Sequence, residues 1–212
     1  YIINYDWWDY MKRVSLKPLE VSDAGEVYEL CRGTFREEYH ITEERILESL
    51  FEDPDFSAEE SKKIVDEKNG RMIGFIGVKV SHNEQLYPAS AWISIFAVKK
   101  EEQGKGYGTM VLNQVCQSLH KNGINKIYVG QDFNNFFSGI PDPDEGKEIF
   151  FKKNGFTLNR DRHFDLEADI TDNRLIDSFD TSSFDKEFTV ASYKDNKKEL
   201  LGFLEREFPG RF

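Results

Sequence analysis

A glycine-rich loop between an apolar strand and an amphipathic helix constrains this chain more than any other feature. Residues 92–98 (WISIFAV) are apolar and β-prone, which predicts a strand that is covered on both faces. Residues 103–108 (QGKGYG) follow, and apolar side chains then recur at helical spacing from residue 110 onward. The glycines therefore lie at the N-terminus of a helix. Free N–H groups and the helix dipole favour an anion there, most often a phosphate.

Length and charge limit the class of protein. The chain has 212 residues, enough for one substantial α/β domain with a remainder. Its net charge is -11 and it has no lysine or arginine run, which argues against a nucleic-acid partner because the phosphate backbone requires a basic surface. We find no signal peptide and no apolar run near the length of about 20 residues that spans a bilayer. We therefore expect a soluble, cytoplasmic protein without a membrane partner.

The cysteines and histidines give no signal for a metal or a disulfide. Cys31 and Cys116 lie among apolar residues of predicted helices, and their separation fits neither a disulfide framework nor a metal site. We expect both thiols to be buried and unreactive in a reducing compartment. His40 and His163 are more typical of surface or strand histidines than of catalytic ones. No metal is expected.

Before the glycine loop, the sequence predicts a strand, two helices and a β-hairpin. Pro18 interrupts the first strand, Ser22-Asp23 caps the first helix, and Thr42 begins the second. Asn69-Gly70 lies between two strand-like runs and is a strong hairpin signal. The strands are predicted at residues 14–19, 63–66 and 72–80.

After the glycine loop, Asn122-Gly123 closes the long helix, and residues 126–129 predict another short buried strand. Residues 131–146 form a long segment with three phenylalanines, so it is either a lid or binding loop, or a loop folded over its own aromatic cluster. A helix follows at residues 145–154. Two further strand-like runs lie within residues 156–169.

The glycine loop also matches the signature of a known family. That signature is Arg or Gln, two residues, Gly, one residue, then Gly or Ala, and it occurs here as Gln103, Gly106 and Gly108. With the order of predicted elements and the exit at residues 154–156 (NGF), the chain resembles the GNAT superfamily of acyl-CoA-dependent N-acetyltransferases over roughly residues 11–169. The resemblance implies an α/β fold whose central, twisted, mixed sheet is flanked by helices. A phosphate-binding loop of another α/β type is the alternative.

The resemblance also suggests a domain organisation. Residues 1–10 would be an aromatic N-terminal extension, residues 11–172 the GNAT domain, and residues 173–187 a polar linker. Residues 188–212, which include an amphipathic helix at 196–208, resemble the strand and helix that start a second domain in tandem members of the superfamily. We expect either a vestigial second domain or a tandem member cut short.

Acetyl-CoA is the cosubstrate that the resemblance implies. Backbone N–H groups of residues 103–108, with Thr109, would hold the pyrophosphate. Lys105 would add a positive charge, although a solvated loop lysine is as compatible with the sequence. Residues 96–98 would pair with the pantetheine as an added strand, and one of their amides would polarise the thioester. The candidate cofactor-binding residues are Phe96, Ala97, Val98, Gln103, Gly104, Lys105, Gly106, Tyr107, Gly108, Thr109 and Phe151.

The catalytic groups are less clearly marked. Phe151 stands where many members of the family place a proton-donating tyrosine, and phenylalanine cannot donate a proton. The thiolate would leave to solvent, or Ser138 of the long loop would substitute as the acid. Asp132 is the candidate base, with a solvated loop carboxylate as the alternative. Glu37, Glu38 and Tyr39 could line the acceptor side or simply end a surface helix.

We therefore expect an acetyl-CoA-dependent N-acetyltransferase. It would acetylate a primary amine of a small molecule or peptide by direct attack in a ternary complex, as a monomer or a homodimer. A Cys-linked intermediate is disfavoured because Cys116 lies at a core position of the signature helix. A non-catalytic acyl-CoA-binding or assembly module is the alternative, and Phe151 is the residue that favours it.

Overall fold

The computed structural model describes residues 13–140, 145–158 and 192–208. The chain divides into two compact units, Tyr1–Asn159 and Arg160–Phe212. The predictions for residues 1–10, for the strand-like runs beyond residue 158, for His163 and for the linker lie outside the described residues.

A five-stranded mixed sheet forms the centre of the first unit, in the order β1-β2-β3-β4-β5. Neighbouring strands are antiparallel except for β4 and β5, which are parallel. A parallel pair needs a crossover connection, and the helix after the glycine loop supplies it. The strands are β1 (Val14–Pro18), β2 (Lys62–Asp66), β3 (Met72–Val80), β4 (Ser90–Val98) and β5 (Lys126–Val129).

In the first unit, helices flank the sheet, as the sequence predicts. They are α1 (Ala24–Thr34), α2 (Glu43–Ile46, continuing as a π-helical turn over Leu47–Phe51), α3 (Tyr107–Lys121) and α4 (Glu145–Lys153). The second unit contains α5 (Lys197–Glu207). Short 3-10 turns cover Val21–Asp23, Glu37–Tyr39 and Lys100–Glu102. In the described part of the chain, every helix is too short or too polar to cross a membrane.

The two faces of the sheet carry separate apolar cores. One core joins the sheet to α1 and α2 and includes Phe75, Ile95 and Phe136. The other joins it to α3 and α4 and includes Ile93 and Val111. Each strand of the centre is therefore buried on both faces, which is why residues 92–98 read as a continuous apolar run.

A β-bulge at Ser94 divides β4 into two halves. Gly77 pairs with Ile95 and Val78 pairs with Ile93, so Ser94 is the extra residue. Two residues of the same parity normally share a face of a sheet. Here Ile93 lies in the core with α3, whereas Ile95 lies in the core with α1 and α2. The bulge thus reverses which face of the sheet each side chain in the second half of the strand occupies.

Some local predictions are corrected by the structure. Strand β5 is not buried, because it lies beside β4 at the edge of the described sheet, and Tyr128 is 37% exposed. Strand β1 runs through Pro18, and Leu19 lies beyond it in the core. The first helix is not capped by the side chain of Asp23. That carboxylate instead accepts the N–H of Glu20 in a capping box of the preceding 3-10 turn.

The hairpin between β2 and β3 forms as predicted, and Asp66 organises its turn. The carboxylate accepts the backbone N–H of Lys68 at 2.9 Å and the guanidinium of Arg13 at 3.1 Å. These donors, the backbone N–H first, lower the pKa of Asp66 below its usual value.

Asp66 should therefore contribute to the acid dependence of stability. A carboxyl whose pKa is lowered on folding stabilises the protein above its unfolded pKa, about 3.9, and this contribution is lost as the pH falls through the folded pKa. We expect Asp66→Asn to flatten the fall in unfolding free energy below about pH 4. Urea denaturation of both proteins across that range measures the effect, and parallel curves would contradict it.

Candidate functional site

The glycine loop forms a backbone cradle at the N-terminus of α3. Gly104 and Gly106 have φ values of 75° and 88°, in the left-handed region that favours glycine. Gly106 is the N-cap of α3, and no side chain caps that end. The first N–H groups of the helix are thus directed at the loop, in the arrangement that binds phosphate groups. A phosphate could approach the backbone closely because neither glycine carries a Cβ.

The side chains of the loop have mixed roles. Nζ of Lys105 lies 2.9 Å from Oε2 of Glu102, so this lysine is ion-paired, whereas the sequence left open a cation for the pyrophosphate or a solvated lysine. Its charge is partly balanced, and the positive character of the cradle comes mainly from backbone N–H groups. Tyr107 is 1% exposed and its ring lies in the α3 core, so only its backbone remains for a ligand. Thr109 is half-buried in the first turn.

The second half of β4 has an open edge on its β5 side. The parallel ladder ends at the pair Ile93–Val129, and the N–H of Gly130 donates to the carbonyl of Ile93 at 2.9 Å. Within the described part of the chain, residues 94–98 extend past the last paired residue of β5. An extended ligand can lie against such an edge as an added strand.

Phe96 and Val98 direct their backbone N–H and C=O groups toward this open edge. The N–H of Lys99 donates to the carbonyl of Ile73 at 2.9 Å, which marks Val98 as a member of a non-hydrogen-bonded pair with β3. By alternation, the polar backbone groups of Phe96 also point away from β3. Nε2 of Gln103 donates to the carbonyl of Val98 at 2.8 Å. The signature glutamine therefore ties the glycine loop to the end of β4.

Aromatic rings fill the space between β4 and the helices α3 and α4. Phe151 is 9% exposed, and its ring centroid lies 5.2 Å from that of Phe150 and 6.4 Å from that of Phe96. A Cβ on Gly108 would lie 3.4 Å from the ring of Phe150, an ordinary van der Waals contact, so the alanine that the signature allows would also fit there. Phe151 offers an apolar surface and no proton donor.

The long loop after β5 packs on the domain instead of on itself. Phe136 is buried in the core with α1 and α2, and Phe137 lies 5.3 Å from Phe35 and 5.2 Å from Tyr39, centroid to centroid. Arg45 of α2 donates to two carbonyls of the loop at 3.3 Å each. The described part of the loop, residues 131–140, thus lies as a wall against the domain, and the alternative of a loop folded over its own aromatic cluster is wrong. The other alternative, a lid or binding loop, stays a prediction.

Asp132 is not the solvated carboxylate that the sequence allowed, since it is 4% exposed. Its Oδ1 lies 2.5 Å from Nζ of Lys79, and its Oδ2 accepts the hydroxyl of Ser94 at 2.9 Å. Burial raises the pKa of Asp132, while the bonds from Lys79 and Ser94 act in the opposite direction. Both carboxylate oxygens are already bonded, and the base role of Asp132 stays a prediction.

Lys79 and Ser94 are site residues that the sequence reading missed. The signal for Lys79 was a lysine inside the apolar run of residues 72–80, because a lysine buried in a sheet needs a charged partner. Ser94 interrupts residues 92–98 in the same way. Neither signal says which loop supplies the partner.

The remaining predicted residues border the loop wall. Tyr39 belongs to the 3-10 turn Glu37–Tyr39 and packs edge-on against Phe137, which places this turn beside the long loop. Ser138 is exposed, and its role as an acid stays a prediction. His40 is exposed, as the sequence predicts.

A separate cavity of about 360 Å³ lies away from these groups. Phe56, Glu60, Leu119 and Asn122 are among the residues that line it, and no predicted site residue does so in the described part of the chain. Oε1 of Glu60 accepts bonds from Ser118 at 3.1 Å and from Asn122 at 2.6 Å. Among the described residues, no group of three or more His, Cys, Asp or Glu side chains is placed to hold a metal.

Comparison with known proteins agrees with this geometry. The model of a family described as the acetyltransferase (GNAT) family matches residues 24–138, more than half of the chain. No curated protein matches the sequence.

Solved structures share the fold at low sequence identity. The GCN5-related glucosamine N-acetyltransferase region of a fungal multi-domain GH3 β-N-acetylglucosaminidase has a TM-score of 0.61 and 20% identity, over 70% of this chain and 17% of that one. The ribosomal-protein-S18-alanine N-acetyltransferase from Escherichia coli has a TM-score of 0.54 and 15% identity, over 68% and 77%. An aminoglycoside acetyltransferase from an uncultured soil metagenomic sample has a TM-score of 0.54 and 16% identity, over 74% and 98%.

Proposed function

Because this chain belongs to the GNAT acetyltransferase family, we propose that it transfers the acetyl group of acetyl-CoA to a primary amine of a small molecule or peptide. One observation carries the proposal: the glycine cradle at the start of α3 adjoins the open edge of β4, and Gln103 ties the two together. A phosphate site beside a free strand edge suits a ligand with a pyrophosphate and an extended, amide-bearing arm. CoA is such a ligand.

The residues present fit CoA. The backbone of residues 103–108 would bind the pyrophosphate through N–H groups, with Lys105 nearby as a half-neutralised cation. The polar backbone groups of Phe96 and the N–H of Val98 face the open edge, where the pantetheine amides would pair with them. Phe150 and Phe151 would give the arm an apolar wall.

In the reaction, the amine nitrogen attacks the thioester carbonyl, a C–N bond forms, and the C–S bond breaks. An N–H from the second half of β4 would stabilise the negative charge that develops on the carbonyl oxygen. The amine proton passes to water or to Asp132. CoA leaves as a thiolate or takes a proton from Ser138, because Phe151 cannot protonate it. A thiol with a pKa of about 8.5 is a tolerable leaving group as its thiolate.

The acceptor would approach over the surface that the turn Glu37–Tyr39 and the long loop form together. Tyr39 and Phe137 give that side an aromatic surface, to which an amine could bind by cation–π contact. The structural neighbours are described as acting on glucosamine, on an alanine of a ribosomal protein and on aminoglycosides, and these acceptors share an amine.

The test is release of CoA thiol from acetyl-CoA in the presence of an amine panel: glucosamine, an aminoglycoside, a polyamine and a peptide with an N-terminal alanine. We expect saturable turnover with at least one amine and none without an amine. Melting temperature should rise with CoA, whereas a rise with ATP or NAD instead of CoA would point to another nucleotide.

A non-catalytic acyl-CoA-binding module is the second candidate. The observation that favours it is Phe151, whose buried ring replaces the expected proton donor. Tight, saturable CoA binding without turnover on any amine would support this module and would contradict the enzyme.

Direct attack predicts that neither cysteine is needed. Burial raises the pKa of the Cys31 thiol to about 12 and also raises the pKa of the half-buried Cys116. Thiols with raised pKa values are poor nucleophiles at neutral pH. We expect Cys116→Ser to leave kcat unchanged, and native Cys31 to resist alkylation until the protein is unfolded. An acetylated Cys116 in the wild-type protein would contradict direct attack.

A further inference from the structure

We propose that Lys79 is a positioning residue for acetyl transfer, because its buried ammonium fixes the loop that begins at Asp132 against the bulge at Ser94. The inference rests on the proposed function, since it concerns the direction of the backbone N–H groups that follow the bulge. Lys79 itself need not touch substrate.

The contacts of Lys79 are those of a fully bonded buried cation. Its side chain is 1% exposed, and a buried ammonium is costly unless its protons are bonded. Four acceptors lie within 3.5 Å of Nζ: Oδ1 of Asp132 at 2.5 Å, Oδ2 of Asp53 at 3.0 Å, the carbonyl of Phe133 at 3.0 Å and the carbonyl of Asn134 at 3.5 Å. An ammonium has three protons, so the three nearest acceptors are enough to satisfy it.

Asp132 connects this anchor to β4. One carboxylate oxygen binds Lys79, and the other accepts the hydroxyl of Ser94 at 2.9 Å. Ser94 is the extra residue of the bulge and lies two positions before Phe96. A bulge changes the direction of the strand that follows it. The link therefore fixes the bulge, and the bulge sets the direction of the open edge of β4.

A second set of contacts holds the same loop without reaching β4. Arg45 donates to the carbonyls of Asn135 and Phe136 at 3.3 Å each, and Nδ2 of Asn134 donates to the carbonyl of Glu48 at 3.1 Å. These contacts join the loop to α2. Loss of Lys79 should therefore loosen the bulge while the loop stays attached to the domain.

The test uses the triple variant Lys79→Met/Asp53→Asn/Asp132→Asn, which removes the cation without leaving a buried carboxylate unpaired. Asp132→Asn alone separates loss of a base from loss of the anchor, since its amide oxygen can still accept from Lys79. The matched control is Lys63→Met/Asp23→Asn, which removes a 2.6 Å ion pair between β2 and the turn before α1.

We expect the triple variant to show faster hydrogen exchange at residues 92–98 and 131–135. Its kcat should fall about 10²-fold below that of Asp132→Asn, as expected for misplaced catalytic groups, because any loss of a base is common to the two variants. The KM for the amine and the Kd for CoA should change less than kcat, because the glycine cradle and the turn Glu37–Tyr39 are left intact. The control should lose stability but keep its kcat and its exchange at residues 92–98.

Three results would overturn the inference. One is a loss of kcat in Asp132→Asn as large as in the triple variant, which would make Asp132 the base and Lys79 merely structural. Another is an equal loss of kcat in the control. The third is unchanged exchange at residues 92–98 in the triple variant. Hydrogen exchange can be measured without turnover. It therefore tests whether Lys79 holds the bulge even if no amine is acetylated and the proposed function fails.

Discussion

Replacing Gly106 with alanine is expected to raise the Kd for acetyl-CoA at least about 100-fold while the domain stays folded. Gly106 has a φ of 88° at the N-cap of α3, and an L-residue in that region costs about 1–2 kcal/mol. Relaxation of this strain would turn N–H groups away from the pyrophosphate. Each charge-assisted bond is worth about 1.5–3 kcal/mol, so the loss of two is sufficient. Calorimetric titration with CoA measures the change.

Gly123→Ala is the matched control. Gly123 follows the other end of α3, has a φ of 87°, and has nothing within 4 Å of an added Cβ. Both variants should therefore lose similar unfolding free energy, about 1–2 kcal/mol. Gly123→Ala should bind CoA like the wild type. Equal CoA affinities for the two variants would show that the glycine loop does not hold the cofactor.

Gly130→Ala should cause the largest loss of stability, about 3–5 kcal/mol, since overpacking adds to backbone strain. A Cβ on Gly130 would lie 2.5 Å from the carbonyl oxygen of Phe137 and 2.8 Å from the N–H nitrogen of Gly139. Both neighbours are backbone atoms, which cannot rotate away as a side chain could. The φ of 65° adds strain of its own. Urea denaturation gives the loss directly.

Gly155→Ala measures the part of the stability loss that comes from backbone strain alone. Gly155 has a φ of 91°, and nothing lies within 4 Å of its added Cβ. Its variant should lose only about 1–2 kcal/mol. If Gly130→Ala lost no more unfolding free energy than Gly155→Ala, residues 137–139 could not pass as close to Gly130 as the structure shows.

The sequence was informative wherever a local pattern has one physical meaning. Apolar runs, helical spacing and the Asn69-Gly70 turn predicted the strands and helices within a few residues, because these signals depend on neighbours in the chain. It was wrong about β5, since the short apolar run at residues 126–129 is compatible with either an edge or a central strand. It also left open a solvated Asp132 as the alternative to a base, because a loop carboxylate usually is exposed.

The bulge at Ser94 could not be predicted, although it decides the direction of the open edge. A serine within residues 92–98 fits a regular strand equally well. The extra residue becomes visible only when β3 pairs with both halves of β4. The partner of Ser94, Asp132, lies 38 residues further along the chain.

The sequence by itself determined the local backbone of the candidate anion site: Gly104 and Gly106 lie between a buried strand and an amphipathic helix, and the start of that helix has free N–H groups. Only the tertiary structure decided what lies next to that cradle. The end of the β4–β5 ladder opens an edge beside it, and Lys79 joins two distant carboxylates to the bulge. The physical reason is range, since turn and helix signals act over a few residues, whereas ladder pairing and buried charge depend on which distant segments meet.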